Sequence, residues 1–199
     1  MLTDAPDHSA LLDRTRSAVL VIDVQDAFAS YVSGFDELVQ QVALLLRGAA
    51  ILGVPVAASE QYPQGLGSTV PGVTEAVDDE LPSFGKVEFA ACSAPGWQQL
   101  PAAVRDAEQF VLVGIEAHVC VRHTALALLQ AGRDVHVCAD AVGSAKPLHR
   151  DIAVRGLARA GARETTVEQA LFDWLRAAGS DEFRQLQQLL VSNQRATSD

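Results

Sequence analysis

Short apolar runs rich in β-branched residues alternate along this chain with longer stretches patterned for helix. Ala18-Val19-Leu20-Val21-Ile22 leads into Asp23 and reads as a buried strand. Residues 36–52 follow, with Leu38, Val42, Leu45, Ala49 and Leu52 on one helical stripe and Gly53 placed to stop it. Val54 to Ser59 reads as a second strand with Pro55 near its start. Residues 60–92, rich in Gly, Pro and Ser, read as one long irregular segment, and such loops in compact domains tend to carry function. A short helix is expected over 97–107, a strand over Gln109–Ile115, a helix over 121–131 and a strand over Asp134–Asp140. A helix over 147–160 ends at Gly161, Arg163–Val167 forms a last strand, and helices near 168–178 and 181–192 close the chain. This alternation predicts an α/β class: a three-layer α/β/α architecture with a mostly parallel central sheet.

A chain of 199 residues fits a single domain over 1–199, with residues 1–14 as an N-terminal extension. Asp and Glu outnumber Lys and Arg by 25 to 15, and no basic run offsets the net −10, so nucleic acid is excluded as a partner. No apolar stretch approaches membrane-spanning length, and the polar N-terminus has no signal-like apolar core. Three irregularly spaced cysteines, Cys92, Cys120 and Cys138, do not make a disulfide framework. A reducing, cytoplasmic setting is the expectation.

Ligands of parallel sheets bind beyond the carboxyl ends of the strands. That rule selects Asp23, Ser59-Glu60-Gln61, the turn over 114–120 and Asp140. Cys120 stands where a strand gives way to a helix, and N–H groups there would stabilise a thiolate. A buried apolar cysteine is the equal alternative. His118, Cys120 and His123 suggest zinc at first sight, but no second Cys/His pair completes a site. His118 as general base for the thiol is a lesser reading, and His123 reads as a first-turn helical side chain. Asp23 is either a cap or a proton acceptor for a thiol. Lys86 reads from composition as a solvated surface lysine. Cys138 lies within a strand and reads as core. Gly65-x-Gly67 lacks the features of a phosphate loop and reads as a flexible segment.

Four motifs in order resemble the isochorismatase-like cysteine hydrolases, the superfamily that includes nicotinamidases. They are VLVIDVQDAF with Asp23, Gln25 and Phe28; ASEQYPQGLG; GKVEFAAC with Lys86; and LVGIEAHVCVRHTALALLQAGRDVHVCADAVGS with Cys120. The tail TTVEQALFDWLRAAGSDEFRQLQQLL is similar to the isochorismatase domain-containing subgroup. The resemblance covers roughly residues 15–192 and implies a catalytic triad of Asp23, Lys86 and Cys120. It also implies a cis peptide between Ile115 and Glu116, an oxyanion hole from the backbone N–H groups of Glu116 and Cys120, and substrate contacts from Phe28 and Gln61. Nicotinamidases bind a metal with an aspartate and histidines after the second strand. The matching Ser59-Glu60-Gln61-Tyr62-Pro63-Gln64 has no histidine, so no metal and no cofactor are expected, and nicotinamide is disfavoured.

The function this implies is a metal-independent cysteine hydrolase that cleaves a small amide or related C–N bond through a thioester. Its partners would be a small-molecule substrate and further copies of itself, with no nucleic acid and no membrane. The alternative is a catalytically silent module acting in protein association, suggested by the alanine-rich stretch 121–131. A flavodoxin-like nucleotide binder rests only on the sheet pattern and Gly65-x-Gly67.

Overall fold

A computed structural model describes residues 11–196 of the chain. Six strands form one sheet: β1 (Ser17–Ile22), β2 (Val56–Gln61), β3 (Ser83–Lys86), β4 (Gln109–Gly114), β5 (Asp134–Val142) and β6 (Arg163–Thr165). Every neighbouring pair is parallel, and the spatial order is β3-β2-β1-β4-β5-β6. The long helices are α1 (Phe35–Leu52), α5 (Arg122–Gln130), α6 (Pro147–Arg159), α7 (Val167–Leu175) and α8 (Asp181–Ala196). Single turns α2 (Pro63–Leu66), α3 (Pro71–Thr74) and α4 (Ala102–Arg105) lie in the connections. The fold is a three-layer α/β/α sandwich, and its sheet is wholly parallel.

The central strands are apolar throughout because both faces are covered. In β1, Val19 and Val21 pack into the core beneath α1, α7 and α8. Ala18, Leu20 and Ile22 face the opposite core, which α5 and α6 cover. β4 divides in the same way, with Val111 and Val113 on one side and Phe110 and Leu112 on the other. Leu12, ahead of β1, is fully buried in the α1-side core. Gly53 closes α1 with a left-handed φ of 69°, its N–H bonded to the Ala49 and Ala50 carbonyls.

Two expectations are corrected. Residues 60–92 are not wholly irregular, since β3 lies within them and pairs with β2 in the register Gln61↔Lys86. β3 buries only Phe84 and Lys86 and leaves Ser83 and Gly85 exposed, so its apolar signal is a single residue. Residues 97–107 are not one helix. A 3₁₀ turn over Pro95–Gln99 and the single turn α4 replace it, on either side of the extended Pro101.

The order of winding positions the site. From β1 the chain moves to one edge through β2 and β3, then returns to pair β4 against β1 and winds to the other edge. The reversal leaves a crevice at the carboxyl ends of β1 and β4.

Candidate active site

Asp23 and the cysteine turn leave adjacent strands, with Ile22 beside Gly114 in the register. Asp23 takes a left-handed φ of 54°, which few residues with a side chain adopt. Its N–H donates to the Ser59 carbonyl at 3.0 Å, and its own carbonyl accepts the Gln25 N–H at 2.9 Å. The carboxylate is 1% exposed. Oδ1 accepts the Ser59 hydroxyl at 2.7 Å, and Oδ2 accepts Lys86 Nζ at 2.8 Å.

Lys86, which composition alone places at the surface, is buried at the end of β3. Its ammonium donates to Asp23 Oδ2, to Gln61 Oε1 at 2.6 Å and to the Glu88 carbonyl at 3.2 Å. A lysine has three N–H donors, and here each has an oxygen. Strand pairing brings this about: Gln61 of β2 stands beside Lys86 of β3, and Ser59 of β2 stands beside Ile22 of β1.

Beyond β4, Gly114 turns the chain with φ 112°, and a Cβ there would lie 2.1 Å from the Ile22 carbonyl oxygen. Only glycine fits so close to the neighbouring strand. The Ile115–Glu116 peptide is cis. A single π-helical turn, Ala117–Val121, follows and leads into α5. Its start is fixed by the Ala117 N–H on the Gly143 carbonyl at 2.7 Å and by the Glu116 carboxylate, which accepts the Ala145 N–H at 2.8 Å. The Glu116 N–H has no acceptor among the hydrogen bonds of the described residues.

Cys120 lies on that turn, buried, with Sγ 3.6 Å from Gln61 Oε1. The thiol is pushed up to about 12 by burial first and then by the negative charge of Asp23, with Lys86 opposing. Of the two readings of Cys120, burial favours the protonated thiol over a thiolate stabilised at a helix start. The turn is buried, and a carboxylate stands beside it. Burial likewise raises the Asp23 carboxyl, opposed by the Lys86 ammonium, by the neighbouring Cys120 thiol and by hydrogen bonds from Lys86 and Ser59. The arrangement sets a neutral thiol next to a carboxylate that can accept its proton.

The other candidates separate clearly. Gln61 joins the cluster directly. Phe28 is half-buried on the turn after Asp23 and packs against Tyr31 and the α1-side core. His118 Nδ1 lies 3.1 Å from the Ser144 hydroxyl, and its ring sits against His149, so its partner is not the thiol. His123 Nδ1 meets the Val119 carbonyl at 2.7 Å, and its ring lies against Phe89. Cys138 is fully buried and Cys92 half-buried. Among the described residues, no group of three or more His, Cys, Asp or Glu could hold a metal ion. The Gly65–Gly67 segment is tied down: Gln25 Nε2 donates to the Gly67 carbonyl, and Glu60 Oε1 accepts both the Thr69 N–H and hydroxyl. Sequence reasoning missed the Glu88 carbonyl on Lys86, which leaves no local pattern, and it placed Gln25 in a motif without giving its side chain the bracing role seen here.

Residues 17–169 match the model of the Isochorismatase domain. The chain belongs to the isochorismatase-like hydrolase family. Within it, the chain is 36% identical over 177 residues to isochorismatase domain-containing protein 2 of Xenopus laevis, covering 88% of this chain and 84% of the relative. Its fold is similar to that of the MAR1 ribonuclease of Caenorhabditis elegans, with TM-score 0.85, 36% identity, and coverage of 91% and 92% of the two chains. It is also similar to YcaC from Pseudomonas aeruginosa, solved with hexane-2,5-diol and covalent acrylamide. That likeness has TM-score 0.82 and 25% identity, covering 96% of each chain.

Proposed function

We propose that the protein is a metal-independent cysteine hydrolase that cleaves a small amide or related C–N bond through a thioester acyl-enzyme. The observation that carries this reading is the buried Asp23–Lys86 ion pair beside the Cys120 thiol, at the crevice where the sheet reverses its winding. In the reaction, Asp23 takes the thiol proton while Sγ attacks the substrate carbonyl carbon. The resulting oxyanion rests on the N–H groups of Glu116 and Cys120, an interaction worth about 3–4 kcal/mol per donor in a comparable hydrolase. The intermediate collapses to the thioester, and Asp23 returns its proton to the departing nitrogen. Water then gives a proton to Asp23 and its oxygen to the acyl carbon. The thiolate leaves, regains that proton, and a carboxylic acid is released. Lys86 holds the carboxylate in place and offsets negative charge, and Phe28 supplies an apolar wall.

YcaC has been solved with a covalent acrylamide, an amide-bearing electrophile, which supports a reactive site in this fold. An amide panel assayed for ammonia or amine release tests the proposal. Turnover lost in Cys120→Ala is expected, and undiminished turnover in that variant rejects it.

Self-association and a reducing cytoplasmic setting belong to the same proposal. Leu148 and Ile152, one turn apart on α6 and more than half exposed, are the surface a second copy would cover. The silent association module loses its first support, because Ala125 and Leu128 of α5 are buried in the core.

A further inference from the structure

Gln61 leaves β2 with both its backbone and its side chain fixed. Its backbone N–H donates to Gln25 Oε1 at 2.7 Å, and its carbonyl accepts Gln25 Nε2 at 3.0 Å. Gln25 is fully buried, so this side-chain amide continues the sheet like one more rung. At the far end, Gln61 Nε2 donates to the Val87 carbonyl at 2.9 Å. Oε1 therefore faces the Lys86 ammonium and the Cys120 sulfur. Chemistry allows only that orientation. A flipped amide would set its NH₂ against the ammonium and its oxygen against the Val87 carbonyl, two repulsive contacts in place of two hydrogen bonds.

We propose that Gln61 is a positioning residue: its locked amide oxygen joins the Lys86 ammonium to the resting Cys120 thiol and keeps the sulfur protonated until a substrate arrives. This rests on the hydrolase reading and gives Gln61 a role other than substrate contact. An acceptor 3.6 Å from the sulfur favours S–H and opposes a negative sulfur. The same oxygen occupies one of the three N–H groups of Lys86, which would otherwise be free to turn to the thiolate. Gln61 thus presents the sulfur with an acceptor, never a donor. It cannot serve the oxyanion, which leaves that task to backbone N–H groups.

The test measures Cys120 alkylation by iodoacetamide against pH, with peptide mapping to separate the three cysteines. Gln61→Met fills the space without an oxygen. At pH 7.5, Cys120 of this variant is expected to react about tenfold faster or more, the profile moving by at least one pH unit. Gln61→Glu keeps an oxygen there and is expected to stay at or below the native rate. Cys138, fully buried, serves as the internal measure of intact folding. If it too reacts in Gln61→Met, Gln61→Asn carries the comparison with the same expectation, since it retracts the oxygen but remains polar. An unchanged or slower rate without the oxygen, or equal acceleration in Gln61→Glu, overturns the inference. Alkylation needs no substrate, so the two readings fail separately. A protein that turns over no amide yet shows this ordering keeps the inference. Amide turnover with unmoved alkylation rejects the inference and leaves the hydrolase reading standing.

Discussion

Lys86 and Asp23 share a salt bridge with 0% and 1% of their side chains exposed, so each is a charge that water cannot reach. Removing one partner strands the other, at a cost of about 3–5 kcal/mol. Lys86→Met alone should therefore lower the denaturation midpoint sharply, and Asp23→Leu alone likewise. The double variant should recover much of the loss, because the pair's desolvation disappears with it. Urea titration of the three variants checks this, and additive losses would contradict it. Cys120 gives a second prediction. With its thiol pushed up to about 12, alkylation should rise about tenfold per pH unit from 7 to 10 with no plateau. A plateau near the ordinary thiol range, about pH 8.5, would mean that neither burial nor Asp23 acts on the sulfur. Lys86 also shows where residue-level reading stops. A lysine between Val87 and Gly85 reads as solvated, and only the pairing of β3 with β2 delivers it to Asp23.

Elements differed in legibility for physical reasons. β1, β4 and α1 carry their burial in their own residues, as unbroken apolar runs or a helical stripe, so the pattern locates them within a residue or two. β3 is held by one neighbour and buries two side chains, one of them charged, so nothing local marks it. The π-helical turn carrying Cys120 is set by long-range bonds to Gly143 and Ala145, which sequence cannot show. Gly114 is the element-scale pivot between β4 and that turn. Gly114→Ala would drive a methyl into the Ile22 carbonyl at a φ that side chains avoid. The expected outcome is loss of more than about 3 kcal/mol, or no soluble protein, read by thermal melting. A milder loss is expected at α7. Thr166 caps it by accepting the Gln169 N–H at 3.2 Å, and Thr166→Ala should cost about 1 kcal/mol.

Across the whole molecule, the winding reversal between β1 and β4 turns distant motifs into one site. The rule about carboxyl ends of strands made the neighbourhood legible, while the hydrogen-bond partners inside it depended on strand order. Stability should also respond to pH through His136, buried in β5 with no hydrogen-bond partner for Nε2 among the described residues. Burial first, and the Arg163 charge next, lower its pKa from 6.5 to about 4. The folded state favours the neutral ring, so its contribution is complete above pH 6.5 and is lost as pH falls from there to about 4. The loss should approach about 3 kcal/mol, and His136→Leu should remove that part of the pH dependence. Denaturant midpoints at pH 7, 5.5 and 4 in both proteins measure it.

In the proposed hydrolase, the sulfur of Cys120 carries the acyl group between two half-reactions. The most direct test is rapid-quench mass spectrometry of the enzyme mixed with an acyl p-nitroanilide series. A transient acyl mass is expected on the Cys120 peptide, forming with p-nitroaniline release, decaying with acid release and absent in Asp23→Asn. Turnover without any adduct on that peptide would contradict it.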